Sequence, residues 1–580
     1  MTLLGIAYPK TQDYLTQKRD WRFVRDPSNQ IAGALWHQQD RAKTRALCGQ
    51  SGTHFYCFYG SAFSKLDQSE IKEDDLQAIA AVGPAHLMAR FWGKYLFICF
   101  DLTAKKLICC SDPSNQWPVY WAWSSRHGLL FSDTITCLHQ TLVESGERPA
   151  WNKKFFTTWL RTGTVQNGEL PFDRIQEIPA GCAVSYIDDG QPQIVTVWDP
   201  LKHAVEDDTQ TPFGILKNYL NRFVSLADRP VLELSGGLES SSVLLAMRAV
   251  SSADHPLSCA HYYHAGVASS NELEHARHVA QSVQAHLHEV DTRVLSFTPV
   301  QSVPRVAKPH IRYCLLAFNQ YFASQLEKGE HTQLISGHGG DSLFLAPPPF
   351  SALADAALTW QWRRLVRVAM DLALIYRAPL IQVATGAARS LFSSDPFENN
   401  GSTLDLLSEE TQHESFDQRA HLHPFLQQNK VRLPGQLYQL ALAFLTLDDI
   451  RSPAYPFTQP THYPFLCQPM VEFALSIPSY DHFEGAHNRI VLRKSVSAAT
   501  GYPNLWRRNK GETSGIDLLG IRDHKDHMMA LCLEGFLAKE GYVDVKRTRA
   551  AIQHSSKGHS KYFMGLLHLY AAELFVQGWQ

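Results

Sequence analysis

The sequence predicts a two-part chain: an α+β part led by a β-rich sandwich over residues 1–205, then an α/β part over 206–580 built on a doubly wound parallel sheet. Three observations predict it. At 580 residues the chain exceeds the ~250–300 residues at which single cores stop growing. Short β-branched and aromatic runs divided by turn residues crowd the first part. In the second part, strand-like runs alternate with helix-forming segments, and two of those runs stop at glycine clusters.

Composition narrows the class. Hydrophobic residues make up 44% and charged residues 19%, the balance of a well-cored globular chain. A net charge of −2 gives no reason to expect a nucleic-acid surface. The 11 cysteines lack paired metal spacing and are expected as reduced thiols, not as a disulfide framework or a zinc site. Met1 to Lys10 has no basic start leading into an apolar core, so no signal peptide is expected. The longest apolar stretch, Leu437 to Leu447, is too short to span a bilayer. The expectation is a cytoplasmic protein with no membrane contact.

In the first part, Phe55 to Tyr59, Lys94 to Phe100, Lys106 to Cys110 and Val119 to Trp123 are expected strands. Asp112-Pro113-Ser114-Asn115 turns between two of them. Trp151 to Arg161 has helical spacing, and Glu177 to Gly181 is a loop before another strand. Val197-Trp198-Asp199-Pro200 and the polar Glu206 to Gln210 mark the domain boundary.

The second part opens with a helix from Thr211 to Ala227 feeding a strand at Val231. Leu257 to Tyr263 and His288 to Val290 are further strands, divided by a helix that opens at Asn271-Glu272. His275 and His278 on that helix have no carboxylate support, and no metal is placed there. After Pro347-Pro348-Pro349, Leu353 to Gln382 shows helical periodicity. Residues 390–420, with Asn399-Asn400-Gly401-Ser402, are a candidate mobile loop or insertion. Leu437 to Asp449, Asn488 to Ala499 and Tyr562 to Phe575 are expected helices.

The chemistry gathers at the two glycine clusters. Val231-Leu232-Glu233-Leu234 runs into Ser235-Gly236-Gly237-Leu238-Glu239-Ser240-Ser241-Ser242: strand, tight turn, helix start. That geometry aims free N–H groups and a positive helix end at an anion. The glycines allow close backbone approach, and Ser235, Ser240 and Ser241 add hydroxyl donors. Further along, Ser336-Gly337-His338-Gly339-Gly340-Asp341 ends a second apolar run. In one α/β sheet the two loops lie side by side at the carboxyl edge, where such folds bind ligands. Glu239 and Asp341 then face each other, a hard oxygen pair suited to Mg²⁺.

Together these loops resemble the synthetase domain of the asparagine-synthetase superfamily, whose pyrophosphate loop is Ser-Gly-Gly-x-Asp-Ser. The Gly-His-Gly-Gly-Asp form of the second loop looks most like the lasso peptide cyclases. Tyr463 to Glu472 is similar to the family's Pro-Phe-Leu segment, and Arg507-Arg508-Asn509-Lys510-Gly511 to its late Lys-Gly loop. Position 239 departs from the family, holding Glu in place of Asp. The first part resembles the glutamine-amidotransferase-like domain of the same family. Its amidase needs a cysteine directly after the initiator Met; Thr2-Leu3 stand there, which implies a degenerate scaffold, the alternative being the Thr2 hydroxyl as an N-terminal nucleophile.

The resemblance implies ATP and Mg²⁺, an acyl-adenylate formed from a carboxylate with release of pyrophosphate, and amine attack releasing AMP. Leu234, Ser235, Gly236, Gly237, Ser240, Ser241 and Gly337 would hold the nucleotide, and Glu239 and Asp341 the metal. Lys510 would neutralise charge building on phosphate and acyl oxygen. Arg507 and Arg508 are auxiliary phosphate contacts or surface charges. His338 has two readings: a base at the amine, or a structural histidine bonding the loop. Asparagine synthetases carry Glu at that place and β-lactam synthetases Tyr. The implied substrate is a leader-cleaved precursor (core) peptide closed into a macrolactam between its N-terminal amine and an Asp or Glu side chain. A leader peptidase and a leader-recognition protein are the implied partners. The rival readings are an asparagine- or β-lactam-synthetase-like ligase and a nucleotide-binding scaffold without catalysis.

Overall fold

The computed structural model describes residues 2–7, 22–25, 27–28, 30–38, 45–114, 116–188, 190–202, 210–225, 230–264, 267, 271–326, 333–393, 397, 404–428, 431–450, 461–508 and 514–580. The first part is a sandwich of two antiparallel sheets. One has the order β10 (Ile175–Glu177), β8 (Tyr120–Ser124), β9 (Gly128–Ser132), β1 (Thr2–Ala7), β3 (Ile31–Gln38), β2 (Arg22–Arg25). The other runs β12 (Gln193–Thr196), β11 (Cys182–Ile187), β7 (Lys106–Ser111), β6 (Phe91–Asp101), β5 (His54–Ser64), β4 (Ala46–Ser51). Strand β6 shows why its sequence is a continuous apolar run rather than an alternating one. Leu96, Ile98 and Phe100 fill the space between the sheets, while Tyr95 and Phe97 face the second part of the chain. A strand buried on both faces has no polar side.

The second part is built on a parallel sheet in the order β15 (Ala285–Asp291), β14 (Leu257–Tyr263), β13 (Val231–Glu233), β16 (Leu334–Ser336). The helices Leu238–Val250 and Leu273–Ser282 link β13 to β14 and β14 to β15. The chain then crosses through the helix Leu316–Leu326 to the other side of β13. Strand order reverses between β13 and β16, which opens a crevice at their carboxyl ends. Both glycine loops leave from those two ends.

The two parts are not separable in packing. One core joins Tyr95 and Phe97 of β6 to Leu216, Tyr219, Met470 and Val496. A second joins Phe155, Phe156 and Trp159 of the helix Lys153–Thr162 to Leu566, Tyr570 and Phe575 of the C-terminal helix Phe563–Trp579. Buried Glu472 adds a polar tie: Lys65 Nζ and Trp198 Nε1 of the first part donate to its carboxylate at 2.8 and 2.9 Å.

Three sequence expectations change. The stretch 353–382 forms three helices, Ser351–Leu358, Trp362–Tyr376 and Leu380–Ser390. Trp360 and Arg377 adopt positive φ at the joints, and Pro379 precedes the third as its N-cap. The 390–420 region is in part regular, with a 3₁₀ turn at Leu404–Leu406 and a Ser408-capped helix Glu409–His413. Asn399 to Ser402 and the 206 boundary lie outside the described residues. The thiols are not all reduced: Cys48 and Cys57 sit opposite each other in the β4–β5 register and are joined as a disulfide. Sequence spacing gave no sign of this because strand register, not separation, brings them together. Among the described residues no single helix is long and apolar enough to cross a membrane.

Candidate active site

The first loop is shaped by contacts that only glycine permits. Gly236 has φ 74°, and a Cβ there would sit 2.8 Å from the backbone nitrogen of Ala276. Gly237 caps the helix Leu238–Val250 without any side-chain hydrogen bond to the open amides of its first turn, leaving them for an anion. Ser235 and Ser240 bond to each other at 3.0 Å, and Gly237 N donates to Ser235 Oγ at 3.2 Å. The hydroxyls therefore stiffen the loop as well as face the crevice. The second loop lies directly against it: a Cβ on Gly337 would come within 2.8 Å of Ser240 N, and one on Gly340 within 2.6 Å of Glu239 Cγ. Phe465 and Leu466 of the 3₁₀ turn Pro464–Leu466 press on Gly340 and Gly339 from behind.

Two cavities meet at Glu239 and Asp341, which line both. The first, of about 250 Å³, is bounded by Gly236, Gly237 and Ser241 and by the cations Arg489, Arg493, Arg507 and Arg508. Arg489 Nη1 donates to Glu239 Oε1 at 2.5 Å. Arg507 pairs with Glu272 at 2.8 Å and donates to Gly236 O at 3.0 Å. Arg493 is depressed to about 10 by burial and then by the charge of Arg489, with Arg507 adding to it. A cavity whose own cations press on each other is one that an anion relieves.

The second cavity, of about 290 Å³, contains Ser235, Ser240, Gly337, His338, Arg312, Tyr262 and Phe318. Glu233 anchors its wall, accepting from Tyr262 Oη and Ser336 Oγ, each at 3.0 Å. Arg312 Nη2 donates to the His338 ring at 3.0 Å. Behind His338 stands Asp449, 3.9 Å from its Nε2 and 3.1 Å from His310 Nε2. Burial first, then Arg312 and His310, push His338 down to about 3, against the upward pull of Asp449. Burial alone would raise Asp449, but His310, Arg312 and His338 outweigh it and hold its carboxyl at about 2. The next residue back, Asp448, accepts from Lys308 Nζ at 2.5 Å, and the same ammonium donates to Glu177 of β10 at 2.5 Å. A buried charge relay of contacts thus runs from the first part of the chain to the side of His338.

Comparison with known proteins fits this geometry. The asparagine synthase family model matches residues 221–579. The chain belongs to the asparagine synthase family. A glutamine amidotransferase domain model matches residues 69–198. Family membership makes the chain one of the ATP-dependent amide-bond ligases, with an amidotransferase-like domain ahead of the ligase domain. Among solved structures, the chain is similar to a glutamine phosphoribosylpyrophosphate amidotransferase from B. subtilis complexed with ADP and GMP, at 11% identity, 58% of this chain, 81% of that one and a TM-score of 0.21. A structure titled as the allosteric regulatory enzyme of purine biosynthesis is similar at 9% identity, 53% and 76% coverage and a TM-score of 0.20. No curated protein matches.

Within this family member, the structure gathers most of the residues that the sequence singled out. Ser235, Gly236, Gly237, Ser240, Ser241, Gly337, His338, Glu239 and Asp341 all line one or both cavities. Leu234 does not; it is buried beneath the loop, its carbonyl 2.7 Å from His261 Nδ1. Lys510 lies outside the described residues. Arg507 and Arg508 line the first cavity, and His275 reaches it as well. Among the described residues no group of three or more metal-ligating side chains occurs. Sequence reading missed Arg312, Asp449, Arg489 and Arg493. One signal was present: Asp448-Asp449 closes the helix Pro434–Asp449, where carboxylates oppose the helix dipole and require cations nearby.

The residues fit the family's nucleotide. Open amides, hydroxyls and a cation cluster surround the crevice, and its two loops approach neighbouring backbone too closely for a Cβ on Gly236 or Gly337. They fit Mg²⁺ too, since that ion takes one or two carboxylates and completes its shell with phosphate and water. Glu239 and Asp341 would supply the carboxylates, with Glu239 shared with Arg489.

Proposed function

We propose that the protein closes a macrolactam in a leader-cleaved core peptide, as an ATP-dependent, AMP-forming ligase of the lasso peptide cyclase type. The observation that carries this reading is the two-cavity site: a cation-lined cradle for pyrophosphate opening, across Glu239 and Asp341, onto a second chamber holding His338. The peptide's Asp or Glu side chain and its N-terminal amine would meet in that second chamber.

Bound Mg²⁺ would offset negative charge on the departing pyrophosphate. Arg489, Arg493 and Arg507 orient the phosphates and stabilise charge as it develops. The Gly236-Gly237 turn and the first helical amides hold the pyrophosphate oxygens. The acyl carbon of the adenylate then faces His338 and Arg312. His338 is neutral at pH 7, so a lone pair is available, yet at about 3 it is a weak base while Arg312 is held against it. An anionic acyl phosphate drawing Arg312 away would raise it at the moment the amine must lose its proton. In this reading the amine is supplied by the substrate itself, so the reaction calls for no ammonia from the first domain.

The test is incubation of a leader-free core peptide with the protein, Mg²⁺ and ATP, with the leader peptidase and recognition protein included in a parallel tube. Loss of one water from the peptide with matching AMP and pyrophosphate is expected. Asparagine formation from aspartate and ammonia would instead establish the asparagine-synthetase-like reading. An unchanged peptide without AMP in both tubes would leave the nucleotide-binding scaffold.

A further inference from the structure

We infer that the bent helix pair Trp362–Tyr376 and Leu380–Ser390 docks the protein onto an anionic bilayer surface. The pair is apolar on two opposite faces, and among the described residues only one is covered. Val368, Leu372, Val383 and Ala387 are buried against Ala352, Tyr480 and Phe483. On the other side Trp362, Val366, Met370 and Leu374, spaced four apart along one stripe, are all exposed. Trp360, Ile381 and Phe392 continue the patch and are 74%, 71% and 89% exposed.

Charge identifies the occupant. From Trp360 to Phe392 the sequence has five arginines, no lysine and one acid, Asp371, which is buried. Arg364 and Arg367 are engaged by Asp481, whereas Arg363, Arg377 and Arg389 have no carboxylate partner among the described residues. An exposed apolar stripe edged by unpaired arginines, with tryptophans at one end, is the pattern of a helix lying in the headgroup region. A second copy of the chain would bring like charges together on a self-complementary patch. The two helices are together apolar enough for a span but bend by 109°, so the pair lies on a bilayer rather than through it. The sequence expectation of no membrane contact rested on the lack of a spanning segment; surface docking needs none.

The test is flotation of the full-length protein with vesicles of phosphatidylcholine alone and of phosphatidylcholine with phosphatidylglycerol in equal parts. Flotation with the anionic vesicles, weakened by salt, is expected. Trp362→Ser with Met370→Ser should abolish it while leaving the melting temperature unchanged, since both side chains are solvent-facing. Arg363→Gln, Arg377→Gln and Arg389→Gln should each weaken partition roughly fivefold. No flotation with either vesicle, or undiminished flotation of the variants, overturns the proposal. So does a concentration-dependent dimer that the same variants dissolve, which would give the patch to a second copy.

Discussion

Glu239 has one methylene more than the aspartate of the family loop, and the structure shows where that reach goes: to Arg489, at φ 54° and 2.5 Å away. A buried pair broken from one side leaves the other charge uncompensated. Arg489→Met is therefore expected to cut ATP–pyrophosphate exchange roughly ten- to a hundredfold, the range of a charge-assisted hydrogen bond. Glu239→Asp keeps the charge without the reach and should fall between; wild-type exchange in both would refute the pairing. His338 gives a second expectation. Held at about 3, its ring should show no NMR titration between pH 8 and about 5, where an ordinary histidine titrates near 6.5. Arg312→Met removes the nearest cation, and the midpoint should then move up. The glycines of both loops were legible in the sequence because a strand-to-helix turn is a local event. Arg312, Asp449 and Arg489 were not, because topology alone brings them from three distant segments to the sides of the two loops.

At the scale of elements, the site depends on how closely β13 and β16 let their loops approach. Gly337→Ala would drive a methyl to 2.8 Å from Ser240 N, a backbone atom that cannot step aside. A cost of about 1–3 kcal/mol with loss of nucleotide binding is expected, by denaturant melt and ATP titration. The helix Pro434–Asp449 ends in two acids, each matched by a cation from another element. Lys308→Met removes the ammonium that buried Glu177 and half-buried Asp448 share, and a destabilisation of about 3–5 kcal/mol is expected in chemical denaturation. The alternation of strands and helices was plain from periodicity, so the sheet was legible. The division of 353–382 was not, since Trp360 and Arg377 break the helix through left-handed backbone that neither residue type advertises.

For the whole molecule, pH acts through buried histidines. His421, His482 and His568 are held at about 4 and His338 at about 3, in each case mainly by burial. Their folded values lie below the unfolded value near 6.5, so the unfolded chain binds protons first and stability falls as pH drops below that value. Asp112 and Asp355, raised to about 6, and Glu573, raised to about 7, act in the opposite sense over the upper part of that window. The histidines are more numerous, and His462 is also held low, chiefly by burial. The melting temperature should fall between pH 7.5 and 5.5; a flat or rising profile would contradict this balance.

The shared cores have a consequence for how such a chain can be shortened. Tyr95 and Phe97 of the sandwich are walls of the ligase domain's own interior, and the last helix of the chain closes over Phe155 and Trp159 of the first. Removing the amidotransferase-like residues would strip two interiors at once. Whatever chemistry the first half performs, the ligase half needs it as a wall.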